Sequence, residues 1–155
     1  MKKNISRFLK YGTLISTYGL LASVLLQIFA RFFLPNTPPW TEEASRLFFI
    51  YAIAFSGGLA VQSKEYVALD VLYEQFSVRW KRWILMAVQV LTLLLFGLMA
   101  IYALNFTYLG IAEKAPAMKI SMAIAFFSMF ILAFFICYFT FLELRKTFVR
   151  EGENH

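Results

Sequence analysis

Four long apolar runs constrain this chain more than any other feature. The first extends from Leu14 to Phe33 and is interrupted by Gln27 and Arg31. The second is apolar or small from Leu47 to Val61 and follows a polar turn, Thr41 to Arg46. The third, Ile84 to Tyr108, carries Gln89, Thr92, Asn105 and Thr107, and the fourth, Ile120 to Leu142, is the richest in Phe. An apolar run of about 18 residues or more is long enough, as a helix, to cross a hydrocarbon core of about 30 Å. No water pairs with the backbone inside a bilayer, so only helices or closed barrels span it. These runs lack the alternation of barrel strands and are too long for them. The sequence therefore predicts an all-α integral membrane fold. It forms one membrane domain over residues 1–155, with spans at about 14–33, 41–62, 84–108 and 120–142. Composition agrees, since 61% of the residues are hydrophobic and only 15% are charged, where a soluble domain carries about 25% charge.

The cations fix the expected orientation. Lys2, Lys3, Arg7 and Lys10 lie in the N-terminal tail, Lys64, Arg79, Lys81 and Arg82 between spans two and three, and Arg145, Lys146 and Arg150 in the C-terminal tail. Only Arg31, Arg46, Lys114 and Lys119 lie on the opposite side. The positive-inside rule places both termini in the cytoplasm. The net charge of +6 belongs to this bias and to anionic headgroups, and gives no argument for nucleic acid as a partner. The first run is too long for a signal-peptide core and no small-residue cleavage site follows, so span one reads as an uncleaved signal-anchor. The single cysteine, Cys137, lies within span four and reads as a packing residue.

The connections are more distinctive than the spans. Leu34-Pro35-Asn36-Thr37-Pro38-Pro39-Trp40 is a stiff outer loop that stops span one and leaves Trp40 at an interfacial aromatic belt. Glu42 and Glu43 follow, where acids complement a helix dipole. Arg46 is placed to pair with Glu42 at i,i+4. That leaves Glu43 to meet Arg31 near the end of span one, and the sequence predicts this Arg31–Glu43 pair. Two readings of this outer cluster stand side by side: a wetted, capped helix start, and a docking surface for a partner. The inner connection, Ser63 to Trp83, shows Leu69, Leu72, Phe76, Trp80 and Trp83 at steps of three and four. This is the pattern of an amphipathic helix lying in the interface, anchored by its Trp residues. Small residues in the spans are spaced for close helix contact. Gly19 and Ser23 lie on span one; Ala52, Ser56 and Ala60, with Gly57 and Gly58 beside them, lie on span two.

The reactive residues are few. The only histidine is His155, the last residue, so no pair of histidines can ligate a haem within the spans. There is no glycine-rich phosphate loop, no acid in the middle of a span to bind a coupling proton, and no broken half-helix pair of the kind that builds midplane substrate sites. The residues alone predict a scaffold or accessory subunit that is not an enzyme and holds no cofactor or metal. They leave open an assembly protein unrelated to transport and an independent small carrier.

The order of the motifs narrows these choices. Gln27-Ile28-Phe29-Ala30-Arg31, Pro39-Trp40-Thr41-Glu42-Glu43, Gly57-Gly58 and Asp70 together resemble the small membrane subunit of tripartite ATP-independent periplasmic (TRAP) transporters. Lys114-Ala115-Pro116-Ala117 resembles the family's lead-in to span four. The chain departs from the family where Lys64 and Tyr66 stand in place of a Gly and a His, and Tyr cannot carry an imidazolium charge. The resemblance implies a multi-pass protein of the bacterial inner membrane with two protein partners. One is a large membrane subunit that moves an organic acid, a carboxylate such as a sugar acid or sialic acid, by a sodium-driven elevator motion. The other is a periplasmic binding protein that delivers it. The small subunit would brace the large one and help form the docking surface, and the sodium and substrate sites would lie in the large subunit.

Overall fold

The computed structural model describes residues 2–34, 38–63 and 78–152. Among these residues the chain is helical, in four long elements: α1 (Lys2–Phe33), α2 (Trp40–Ser63), α3 (Val78–Leu109) and α4 (Ala123–Gly152). Each is long and apolar enough to cross a membrane. At 1.5 Å per residue the 32 residues of α1 extend about 48 Å, so its basic first turns project beyond a hydrocarbon core. Arg31 closes α1 in its last turn, where a cation complements the dipole, and Pro35 follows in sequence. α2 opens with Glu42 and Glu43 in its first turn. The Thr41 hydroxyl donates to the Pro38 carbonyl at 2.8 Å, tying the proline turn to the helix.

The expected interfacial helix needs correction at its C-terminal end. Trp80 and Trp83 belong to the first turns of the membrane-crossing helix α3, because nothing in Val78-Arg79-Trp80-Lys81-Arg82-Trp83 breaks a helix. Both rings are exposed and suit the aromatic belt at a span's end. Leu69, Leu72 and Phe76, like Lys64 and Tyr66, lie outside the described residues.

The helices form an open row, not a closed bundle. α1 packs on α2, α2 on α4, and α4 on α3. α2 and α4 run parallel, because Gly57 faces Leu132 and Gly58 faces Phe135, while Tyr51, nearer the start of α2, donates to the carbonyl of Ile124, at the start of α4, at 2.8 Å. α2 is the central element. Thr41, Ala44, Phe48, Tyr51, Phe55 and Gly58 recur along it at steps of three and four, and this stripe is pressed between α1 and α4. Phe48 covers Gly19 and Phe55 covers Gly12; a Cβ on either glycine would lie 2.6 or 2.9 Å from the ring. A Cβ on Gly58 would lie 2.8 Å from the Cβ of Phe135, closer than real side chains approach. These glycines let the helix axes approach. Ser23 is buried on α1 and Ala54 on α2. The every-fourth-residue face Ala52–Ser56–Ala60 lies at the margin of the seam: Ala52 and Ser56 are half-buried and Ala60 is exposed.

The row leaves much apolar surface uncovered. Leu91, Leu94, Leu98 and Ile101 on α3 are all more than half exposed, as are Phe29, Phe32 and Phe33 on α1. The side chains buried within the chain are mostly small, among them Ala30, Ala44, Ala54, Ala103 and Ala133. Patches of this extent need lipid or another protein against them.

Candidate functional site

One end of the row carries the α1–α2 and α3–α4 connections, and the predicted charge cluster lies there. Glu42 and Arg46 form an i,i+4 ion pair at 3.1 Å with both side chains about two-thirds exposed or more. A pair so wetted contributes a few tenths of a kcal/mol. Trp40 is partly exposed beside them.

Glu43 does something else. Its two carboxylate oxygens accept hydrogen bonds from the backbone N–H groups of Ala117, at 3.0 Å, and Met118, at 2.7 Å. The expected Arg31–Glu43 pair is therefore corrected. Arg31 is exposed at the end of α1, and among the described residues no carboxylate oxygen lies within ion-pair distance of it. Residues 42 and 43 point about 100° apart on a helix, so when Glu42 turns to Arg46 along its own helix, Glu43 is directed across the row to the neighbouring loop.

The loop is built to receive it. Ala115 through Lys119 makes a single helical turn, in which the Lys119 N–H donates to the Ala115 carbonyl at 2.9 Å. Such a turn leaves its first N–H groups without internal partners. Pro116 has no N–H and suits the first position of the turn, so the orphan donors are those of Ala117 and Met118, and Glu43 satisfies both. Lys119 ends the turn in the left-handed conformation, φ 56°, the usual stop for a helical turn. The turn sits on a single antiparallel bridge between Lys114 and Ser121. Ala115 N–H donates to the Ile120 carbonyl at 2.8 Å and Met122 N–H to the Glu113 carbonyl at 2.9 Å. Below it, the Ser121 hydroxyl donates to the Gly110 carbonyl at 2.9 Å and accepts from Ala123 N–H at 3.2 Å, joining the end of α3 to the start of α4. Gly110 makes room for this, since a Cβ there would lie 2.9 Å from the Ala123 nitrogen.

Two contacts, from Glu43 and Tyr51, thus fasten α2 to the α3–α4 connection and the head of α4. The result is a stiff platform whose charged side chains Glu42, Arg46, Glu113, Lys114 and Lys119 are exposed. Sequence reasoning missed the Glu43 receptor because its donors are backbone groups 74 and 75 residues away. The one local signal was Pro116 opening a short turn. Among the described residues no three His, Cys, Asp or Glu side chains gather where a metal could sit.

Comparison with known proteins places this architecture. A family model described as "Tripartite ATP-independent periplasmic transporters, DctQ component" matches residues 20–150. A Haemophilus influenzae protein named as a TRAP transporter small permease is similar to this chain. It is 23% identical over 144 residues, which cover 91% of this chain and 87% of the relative.

Proposed function

Because the chain belongs to the DctQ component family of tripartite ATP-independent periplasmic transporters, and is thus a multi-pass inner-membrane protein, we propose that it acts as the static small subunit of such a transporter. In this reading it braces the large membrane subunit and presents the Glu43-tied platform to the periplasmic binding protein. The observation that carries the bracing role is the open row. Its helices expose long apolar faces, and α3, at one edge of the row, packs on α4 and leaves Leu91, Leu94, Leu98 and Ile101 uncovered. A large subunit laid against such a face gains packing along whole helices.

The substrate is an organic acid and the driving force a sodium gradient, both handled by the large subunit. Both termini lie in the cytoplasm, supported by the Lys and Arg bias, so the platform faces the periplasm. Its exposed charges of both signs favour a transient, salt-sensitive encounter with the binding protein over a permanent joint. The test is purification of the full chain in a mild detergent. A large polytopic membrane protein should accompany it in fixed proportion, and the binding protein should be captured in low salt and released in high salt. Recovery of this chain alone, from membranes that contain the large subunit, would overturn the assignment.

A further inference from the structure

The other end of the row, where α1 begins and α2 ends, holds a groove of about 580 Å³. Its rim is polar: Ser6 and Lys10 from α1, and Gln62 from α2. Its shallow floor is largely apolar, formed by Gly57, Leu59 and Ala60 beside Ser56, whose hydroxyl donates to the Ile53 carbonyl of its own helix. The Ser6 hydroxyl donates to Gln62 Oε1, which bridges the two helices and orients the amide. What Gln62 then offers is its N–H pair, a donor. Lys10 adds a cation with three donors on a flexible stem. Among the described residues that line the groove none is acidic.

The approach to it carries the same sign. Lys3, Arg7 and Lys10 lie at i, i+4 and i+7, on one face of α1, and all three are exposed; the first turn of α1 contains no acid. Depth also matters. Lys10 precedes the apolar run beginning at Leu14 by four residues, about 6 Å along the axis, so its ammonium reaches headgroup level by snorkelling. A cation and amide donors above a floor of small apolar residues suit an anion that carries a hydrocarbon tail.

We propose that this groove is a binding site for a phospholipid whose headgroup is net negative. The phosphate accepts from Lys10 and Gln62, and an acyl chain runs over Gly57 and Leu59 toward the membrane centre. Basic pockets between membrane helices recognise anionic headgroups in this way. The apolar floor is the reason for choosing a lipid over a free phosphate ion. The site concerns the chain itself and does not rest on the transport reading.

The experiment is native mass spectrometry of the full-length chain, titrated in detergent with phosphatidylglycerol, with phosphatidylcholine, and with inorganic phosphate. Phosphatidylglycerol should be retained about fivefold more strongly than phosphatidylcholine, the scale of one interfacial lysine. K10Q should abolish that preference and K10R should keep it, which separates lost recognition from lost folding. R145Q removes one charge from an exposed position at the same end, outside the groove, and should leave the preference intact. Equal retention of the two lipids, or an equal loss in K10Q and R145Q, would overturn the proposal. Displacement of phosphatidylglycerol by millimolar phosphate would assign the site to the free anion and overturn it as a lipid site.

Discussion

Replacing Glu43 by Ala should loosen the α3–α4 connection while leaving the helices in place. The carboxylate accepts two backbone hydrogen bonds, at 3.0 and 2.7 Å, in a partly buried setting. A hydrogen bond to a charged group is worth about 1.5–3 kcal/mol. At the lower end, suited to partial exposure, two such bonds amount to about 3 kcal/mol. Local opening governs amide exchange, and each 1.4 kcal/mol is about tenfold. The Ala117 and Met118 amides should therefore exchange about a hundredfold faster in Glu43→Ala. Glu43→Gln keeps one neutral acceptor oxygen, so its effect should be nearer tenfold. The assay is hydrogen exchange with mass spectrometry on the peptide covering Glu113 to Met122, with the α1 peptides as an internal reference. Arg31→Gln should leave the loop unchanged, since Glu43 uses both oxygens elsewhere. Unchanged exchange in Glu43→Ala, or an equal acceleration in Arg31→Gln, would refute the loop-capping role and revive the Arg31–Glu43 pair.

Other predictions concern packing, surface charge and orientation. Gly58→Ala should lower thermal stability in detergent, by about 1–3 kcal/mol for an overpacked seam, because Phe135 Cβ cannot move without its backbone. Gly97 has open space around it, so Gly97→Ala should be neutral or stabilising through helix propensity; equal losses in the two variants would contradict the row. Glu42→Gln should shift stability by no more than a few tenths of a kcal/mol, since its pair with Arg46 is exposed, and a loss as large as that of Glu43→Ala would show that the two acids had been assigned the wrong roles. In a Cys137→Ala background, a cysteine at Asn36 should be labelled from the periplasm and one at Asn154 should not; the reverse pattern would invert the topology.

The spans were legible because the bilayer demands long apolar helices, and the runs beginning near Leu14 and Ile84 leave no other solution. Their starts were less legible. α3 begins at Val78, before the apolar run, because Trp80 and Trp83 continue the helix through the interface and an apolarity pattern cannot mark where a membrane helix leaves lipid. The order of helices in the row was not readable either. The α2 stripe from Thr41 to Gly58 is small at its ends and aromatic between them, a pattern that does not say which helix takes which flank. Gly57 and Gly58 stood out as small, but the partners that make them necessary, Leu132 and Phe135, lie on a helix with no matching motif. Glu43 was marked by its position in a helix's first turn, and charge logic sent it to the nearest unpaired cation. The actual partners are backbone amides, which every residue but proline possesses and which no sequence pattern distinguishes. The groove at Lys10 was invisible for a similar reason, since it depends on the Ser6–Gln62 bridge between helices far apart in sequence.

The central claim, that this chain is an indispensable but passive brace, is tested most directly by uptake into liposomes. The large subunit, the cognate binding protein and an inward sodium gradient would be combined with and without this chain, and this chain would also be reconstituted alone. Organic-acid uptake is predicted only when all components are present, with none from this chain by itself. Undiminished uptake in its absence, or transport by this chain alone, would contradict the account.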